Sequence, residues 1–195
     1  VLEGPTFFTK VLHIYHNNEL IKLDLPLKMD IYGTYKNLLI ISIAQEWLGF
    51  PVGSLLAVEI EDALKGDIVS NSIKMLFMPS ETSFLRNVSI GSDQILVNVL
   101  DNIKGKIIHF EKIGKTWFES NIKGFDEDML SVAGSDNWSN RSFLESESFT
   151  QPTGLYFSEN SKEYKKIKSL PQKFDPTKYE VEQFFSESKD GTKIP

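Results

Sequence analysis

The chain has 195 residues, of which 41% are hydrophobic and 12% aromatic, and this is enough apolar material for the core of one or two domains. Its formal net charge of −6 disfavours nucleic acid or an anionic membrane as the main partner. The absence of cysteine excludes a disulfide framework, a thiolate zinc site and a cysteine nucleophile, and no apolar run approaches the ~20 residues of a membrane-spanning helix.

The first part of the chain predicts short strands separated by turns. Residues 7–15 are aromatic and β-branched, and residues 20–25 alternate between apolar and polar, so each predicts a strand. Asn17 and Asn18 lie between them and tolerate positive φ, which predicts a tight hairpin. Further strands are predicted over 37–44, 53–61 and 72–78, with a loop over 45–52 that exposes Trp47 and Phe50, and one helical turn or a loop over 62–67.

The same order of elements then recurs. Strands are predicted over 84–90, 94–100, 106–113 and 116–120, and in a third round over 128–133, 142–149, 154–158 and 164–170. Gly53, Gly105 and Gly154 begin corresponding strands, 52 and 49 residues apart. Repeats of ~40 to 50 residues with four strands each are typical of β-propeller blades.

These repeats predict an all-β fold, namely a partial β-propeller of about three to four four-stranded antiparallel blades. Both faces of a blade pack against neighbouring blades, so the inner strands should be apolar on both sides, as residues 38–43 and 95–100 are. Outer strands should be more polar, as residues 164–170 are. A sandwich or barrel with similar strand spacing is the alternative.

The last residues differ from the repeats. Phe174-Asp175-Pro176 predicts an extended connector, because proline restricts its own φ and the residue before it. Residues 179–186 alternate and predict a strand, and Asp190-Gly191 predicts a turn into a second strand that begins at Thr192. A hairpin cut off in its returning strand indicates a piece of a longer protein.

These residues also carry a family resemblance. The connector, Tyr179-Glu-Val-Glu-Gln-Phe-Phe185 and Ser188-Lys-Asp-Gly-Thr-Lys-Ile-Pro195 resemble the junction at which serine peptidases of the prolyl oligopeptidase family pass from a propeller into an α/β-hydrolase domain. The resemblance implies that residues 1–174 are propeller blades, and that residues 175–195 are the connector and first hairpin of the hydrolase domain.

The resemblance also implies a function for the whole protein. A serine-type prolyl endopeptidase would cleave short proline-containing peptides, and its propeller would cap the active site and filter substrates by size. The chain itself would be non-catalytic, with its own hydrolase domain as partner and without cofactor or metal. The expected compartment is the cytoplasm, although the periplasm also suits a chain without cysteine.

The sequence contains no recognisable site for serine-based catalysis. The nucleophile elbow G-x-S-x-G is absent, and Ser92 and Ser135 lie in turn sequences. Ser186 and Lys189 have the spacing of a serine–lysine dyad, but their stretch leads into a hairpin turn instead of starting a helix. No catalytic residue is therefore predicted, and the family's triad is expected downstream of Pro195.

Histidines and carboxylates are interpreted as structural. His13 and His16 lie three apart in a strand and turn, which separates them, and His109 should be a strand histidine with a satisfied hydrogen bond. Carboxylates cluster at 126–128, and Glu145 and Glu147 should share a solvated strand face. Residues 135–140 partly resemble a calcium loop without its spacing, and Asn87, Asn137 and Asn140 match the glycosylation acceptor pattern.

Two other functions stay open at this point. The chain could be a stand-alone propeller that serves as an interaction scaffold. It could also be a propeller glycosidase, which would require paired carboxylates ~5 to 9 Å apart on strands that line a funnel.

Overall fold

A computed structural model describes residues 1–125 and 129–194 of the chain, mostly as β-strands in antiparallel sheets. Blade 1 contains β1 (Leu2–Thr6), β2 (Thr9–His16) and β3 (Glu19–Lys22); blade 2 contains β4 (Met29–Tyr35), β5 (Leu38–Ile43), β6 (Leu55–Glu59) and β7 (Lys74–Phe77). Blade 3 contains β8 (Ser83–Ile90), β9 (Ile95–Asp101), β10 (Lys104–Ile113) and β11 (Thr116–Asn121); blade 4 contains β12 (Met129–Ser135), β13 (Ser142–Glu147), β14 (Gly154–Ser158) and β15 (Lys165–Ser169). Each blade is a meander, because its strands pair in sequence order.

Three short elements and one small sheet complete the described fold. The helix α1 (Ile60–Lys65) follows β6, and 3-10 turns lie at Ser70–Ser72 and Pro176–Lys178. A hairpin of β16 (Ser186–Glu187) and β17 (Lys193–Ile194) ends the described chain. No helix within the described ranges is long and apolar enough to cross a membrane.

Successive blades pack face to face, and a separate apolar core lies between each pair. In β5, Leu38 and Ile40 belong to the core shared with blade 3, whereas Leu39, Ile41 and Ile43 belong to the core shared with blade 1. The two sets alternate because neighbouring residues of a strand point to opposite faces. This geometry explains a strand that is apolar at nearly every position.

The second strand of blade 3 repeats the pattern. Ile95, Val97 and Val99 face blade 2, and Leu96 faces blade 4. Along the outer strand β15 every residue is exposed. The predictions for the inner and outer strands are therefore confirmed.

The antiparallel course gives the sheets two distinct ends. One end carries the turns between the second and third strands of blades 2 to 4, the crossings between blades and the chain after β15; we call it the connector end. The opposite end, with the turns between first and second strands of blades 2 to 4 and the turn between β2 and β3 of blade 1, is the far end. Contacts between turns and crossings agree with this assignment: the Ala44 amide donates to Lys28 O at 2.8 Å, and the Asn102 amide donates to Thr82 O at 3.0 Å.

A buried tyrosine connects blades 2 and 3. Tyr35 is 1% exposed, and its hydroxyl donates to the Asp93 carbonyl at 2.7 Å. The same hydroxyl accepts from the Lys112 amide at 3.0 Å. One side chain of β4 thus satisfies two backbone groups of the next blade.

Several sequence predictions were wrong in detail. Strands β1 and β4 were not predicted. Helix α1 begins at Ile60, inside the strand predicted over 53–61, and ends before Gly66, whose φ of 73° suits a helix C-terminus. Trp47 and Phe50 are half-buried instead of exposed, because their backbones pair with each other and their rings pack on the core between blades 1 and 2.

The strand predicted over 179–186 is also wrong for most of its length. Only Ser186 and Glu187 pair with another strand, and residues 179–185 are exposed without a ladder. An alternating pattern becomes a strand only where a partner strand supplies hydrogen bonds, and no described strand pairs with residues 179–185. The predicted turn at Asp190-Gly191 is confirmed, since the Ser188 amide donates to Thr192 O at 2.9 Å.

Candidate functional site at the connector end

The chain after β15 stays at the connector end. The Leu170 amide donates to Thr153 O at 3.0 Å, and the Gln172 side chain donates to Thr150 O at 3.1 Å. Both acceptors belong to the turn between β13 and β14. The extended connector predicted at Asp175 is confirmed, with φ −81° and ψ 107°, and its carboxylate caps the following turn by accepting from the Thr177 amide at 3.2 Å.

Two open grooves lie between this connector and the turns of blades 3 and 4. One, of about 410 Å³, is lined by Phe149, Thr150, Phe174 and residues 179–181. The other, of about 650 Å³, is lined by Ile103, Lys104, Met129 and residues 147–149 and 181–184. The carboxylate of Glu147 accepts from the Thr153 hydroxyl at 2.7 Å. The grooves are mostly apolar and contain no histidine among these lining residues, so they suit packing better than acid–base chemistry.

The terminal hairpin positions the Ser186–Lys189 pair. Ser186 lies in β16 opposite Ile194, and Lys189 lies in the turn. The Ser188 hydroxyl contacts a charged group, because it donates a hydrogen bond to the Asp190 carboxylate. This bond and those from Thr192 lower the pKa of Asp190 to about 2. The arrangement stabilises a turn, and the serine of the pair does not start a helix that would aim it at the lysine.

The other two serines from turn sequences lie in or directly before turns. The Ser92 hydroxyl donates to Asn140 Oδ1 at 3.1 Å. Ser135 ends β12, and Asp136 beside it accepts from the amides of Trp138 and Ser139, both at 2.7 Å. The Ser139 hydroxyl is the main cause that lowers the pKa of Asp136. An aspartate whose carboxylate accepts from the amides of the following residues in this way caps a turn.

The positions of the histidine side chains follow from the geometry of their strands. His13 and His16 lie in β2 and pair with Lys22 and Glu19, and an odd spacing on a strand directs side chains to opposite faces. His109 is 3% exposed, and its Nε2 lies 3.1 Å from Gln94 Oε1. The predicted hydrogen bond of His109 is thus confirmed.

A buried polar network joins blades 3 and 4, and the sequence did not reveal it. Gln94 donates to the Ser161 hydroxyl at 2.7 Å, and Ser161 donates to Asn140 O at 2.9 Å. The Ser142 hydroxyl lies 2.7 Å from the Tyr164 hydroxyl. Since Gln94 separates His109 from the serines, the network lacks the direct contact between base and nucleophile that acyl transfer needs.

Burial makes His109 a source of pH-dependent stability. Desolvation lowers the pKa of His109 below the ordinary 6.5, and the Lys162 ammonium also lowers it, against the Glu111 carboxylate, which raises it. The unfolded chain therefore binds this proton first as the pH falls. We expect the free energy of unfolding to decrease as the pH falls below about 6.5. This decrease should be smaller in His109→Gln, which lacks the titrating imidazole. Urea unfolding at about pH 7.5 and about pH 5.5 measures the difference.

The control for this prediction is His16→Gln, which removes an exposed histidine and should keep the pH dependence of the wild type. Equal pH dependence in His109→Gln and the wild type would contradict the role of His109.

Two of the predicted carboxylates, Glu145 and Glu147, lie on an exposed strand face. Glu145 and Glu147 are exposed on one face of β13, as predicted, while Leu144 on the other face is buried against blade 3. The cluster at 126–128 lies outside the described residues. Within 1–125 and 129–194, no three histidine or carboxylate side chains are grouped as a metal site would require. The glycosidase alternative therefore gains no support from these two glutamates.

The described blades and connector define the class of fold: a partial β-propeller, followed by a segment that leaves it at one end. Solved structures share this fold. A post-proline cleaving enzyme from Rickettsia typhi superposes with a TM-score of 0.79 at 22% identity, over 96% of this chain and 28% of that one. Oligopeptidase B from Leishmania major superposes with a TM-score of 0.67 at 17% identity, over 96% of this chain and 28% of that one.

Curated relatives extend the likeness to the sequence. An uncharacterized peptidase of Sinorhizobium fredii, y4nA, is 27% identical over 202 residues, which span 98% of this chain and 28% of the relative. An uncharacterized peptidase of Rickettsia prowazekii, RP174, is 24% identical over 92% of this chain and 26% of the relative. No protein-family profile matches the chain. The resemblance to prolyl oligopeptidase family peptidases is confirmed, and the chain spans little more than a quarter of the length of these relatives.

Proposed function

We propose that this chain is the later part of the propeller of a prolyl oligopeptidase-like serine peptidase. Residues 1–174 form the blades, and residues 175–195 form the connector and the first hairpin of the hydrolase domain. The observation that carries the proposal is the match to a peptidase over 98% of the chain, which must include both blades and connector. The proposed compartment is the cytoplasm.

In this proposal the chemistry belongs to the hydrolase domain. Its serine, base and acid lie after the terminal hairpin, in line with the turn-forming role of Ser188 described above. The blades supply a stiff wall, because blades 2 and 3 are each packed on both faces against their neighbours. Such a wall would cover the active site and admit short proline-containing peptides while excluding folded proteins.

The test is a peptidase assay of the full-length gene product on a short proline-linked chromogenic peptide. We expect hydrolysis by the full-length protein and none by residues 1–195 alone. Alanine in place of the serine of a downstream G-x-S-x-G should lower kcat by ~10⁴-fold or more, whereas Ser186→Ala should leave kcat unchanged. The same proline sequence placed in a loop of a folded protein should be cleaved far more slowly.

Three results would contradict the proposal. The first is a full-length protein that does not hydrolyse the peptide. The second is turnover by residues 1–195 that Ser186→Ala abolishes. The third is equal cleavage of the peptide and the folded protein, which would contradict the size filter alone.

A further inference from the structure

The first strands of blades 2, 3 and 4 share an irregularity near their middles. In each of them the pairing with the second strand passes over one residue, which is Tyr32 in β4, Arg86 in β8 and Ala133 in β12. Such a β-bulge leaves the extra residue without a partner in the ladder and changes the direction of its side chain. Because the bulges lie at similar positions, the three side chains can be compared from blade to blade.

These first strands lie where the blades converge. Each is at one edge of its sheet, and β8 approaches both β4 and β12. The last strands, β7, β11 and β15, form the opposite edges. In a propeller the sheet edges that approach one another surround the axis, so the free edges of the first strands face it. A bulged side chain on such a strand is well placed to contact a ligand near the axis.

Arg86 is the bulged residue with a charged and exposed side chain. Tyr32 packs on the core between blades 2 and 3, and its hydroxyl accepts from the Ser42 hydroxyl at 3.5 Å. Ala133 has no polar side-chain group. Arg86 is exposed, and its Nη1 donates to Met129 Sδ at 3.4 Å, in the first strand of blade 4. A thioether is a weak acceptor and a guanidinium has five N–H donors, so this contact uses little of the hydrogen-bonding capacity of Arg86.

The charge of Arg86 also distinguishes it within the first strands. The chain has two arginines, and the other, Arg141, pairs with Glu159 at 2.8 Å. Asp30 is the acidic residue of β4, and it pairs with Lys10 of blade 1. Among the described residues, no carboxylate forms an ion pair with Arg86. The strands around the axis therefore present one basic side chain whose described contacts leave its charge uncompensated.

We infer that Arg86 binds the free C-terminal carboxylate of the peptide substrate. The inference rests on the proposed function, because it assigns a substrate contact within the same peptidase. A guanidinium binds a carboxylate through two parallel N–H donors, a geometry that the ammonium of lysine does not reproduce. Every unblocked peptide has a carboxylate at its end, whereas acidic side chains occur only in some sequences. An arginine that serves short peptides in general is therefore expected to bind the chain end.

The position of Arg86 along β8 suits this role. Strand β8 begins at the connector end, directly after the crossing at Thr82, and Arg86 follows Ser83 by three residues. At ~3.4 Å per residue, Arg86 lies ~10 Å from that end. In the proposed peptidase the active site is at this end, so the residues after the scissile bond can extend toward Arg86. The contact should then depend on how many residues follow the proline.

Hydrolysis of matched peptides by the full-length protein tests the inference. Each peptide has a single proline, a fluorophore and a quencher on opposite sides of the bond after it, and is made both as the free acid and as the C-terminal amide. We expect kcat/KM to be at least about tenfold higher for the acid, mainly through a lower KM, because a charge-assisted pair is lost in the amide. In a series that lengthens the part after the proline, this preference should be greatest at one length.

Substitution of Arg86 should remove the preference without impairing the fold. In Arg86→Gln the acid and the amide should be hydrolysed at equal kcat/KM, and Arg86→Lys should retain part of the preference. Arg141→Gln is the matched control, because it removes the other arginine, which lies in the turn between β12 and β13 at the far end, and it should keep the preference of the wild type. Urea unfolding of both Gln variants should resemble that of the wild type, since both arginines are exposed.

Three results would overturn the inference. The first is equal hydrolysis of acid and amide by the wild type. The second is an unchanged preference in Arg86→Gln, or the same loss in Arg141→Gln. The third concerns the source of the carboxylate: if an amide peptide that ends in glutamate is hydrolysed as well as the free acid, and this depends on Arg86, the residue binds acidic side chains and not the chain end.

Binding of an uncleavable peptide separates this inference from the proposed function. The peptide carries an N-methyl group on the bond after the proline, and calorimetry compares its acid and amide forms on the full-length protein. A protein that hydrolyses no peptide but binds the acid at least about tenfold more tightly, in a manner that Arg86→Gln abolishes, contradicts only the function. An active peptidase that binds both forms equally contradicts only the role of Arg86.

Discussion

Replacing Gly105 with alanine is expected to force blade 4 away from blade 3. A Cβ atom at Gly105 in β10 would lie 2.4 Å from the carbonyl oxygen and 2.5 Å from the amide nitrogen of Leu130 in β12. Both are backbone atoms, which cannot rotate away as a side chain would. The same carbonyl accepts from the buried Asn98 side chain at 2.9 Å. We expect the free energy of unfolding to fall by about 3 kcal/mol or more, from overpacking and the loss of this hydrogen bond.

Urea unfolding compared with Gly134→Ala measures this effect. Gly134 lies in β12 at the same pair of blades, but a Cβ there would have its nearest contact at 3.9 Å, on the Phe143 ring. Gly134→Ala should therefore stay within ~0.5 kcal/mol of the wild type. Hydrogen exchange should show faster opening of β12 to β15 in Gly105→Ala alone. Equal stability of the two variants would mean that the blades can separate slightly at no cost.

The repeat at Gly105 shows what the sequence could reveal. Its spacing from Gly53 and Gly154 predicted the blades, and the apolar runs in β5 and β9 predicted strands buried on both faces. The sequence did not reveal why Gly105 has no side chain. That reason lies in the backbone of Leu130, 25 residues away and in another blade.

The strands that were missed lack a clean alternation. In β4 the register shifts between Ile31 and Gly33, and Gly33 has a φ of 136°. A bulge of this kind places two residues opposite one and hides the period of two. In β1 the residues Gly4 and Pro5 are both uncommon in strands, and every residue is exposed at the edge of its sheet. Pairing with β2, not local preference, makes this segment a strand.

The candidate site was predictable only in part. The connector and its turn followed from Pro176 and from Asp190-Gly191. Exposed apolar residues of the turns could not be separated from core residues by sequence, because the loop over 45–52 contains half-buried Trp47 and exposed Leu48 side by side. The network of Gln94, Ser142 and Ser161 was missed because its members are up to 67 residues apart and belong to residue types that are usually exposed.

Phe110→Ala should be the most damaging truncation in the core between blades 2 and 3. Phe110 is 0% exposed, and its ring meets Trp117 edge to face with centroids 6.3 Å apart. Removing a buried phenylalanine ring costs ~3 to 5 kcal/mol, from lost burial and from the cavity that remains. The neighbouring strand supplies the matched control, since Phe118 is 51% exposed and Phe118→Ala should change the free energy of unfolding by ~0.5 kcal/mol or less.

Urea unfolding followed by circular dichroism gives both free energies, and tryptophan fluorescence gives a second transition curve for comparison. If the blades unfold as one unit, Phe110→Ala shifts the whole transition. If they unfold singly, as the separate cores between neighbouring blades would permit, the variant shifts only the transition of blades 2 and 3. A Phe110→Ala variant as stable as Phe118→Ala would contradict the packing described here, because Phe110 is 0% exposed in this core whereas Phe118 is 51% exposed.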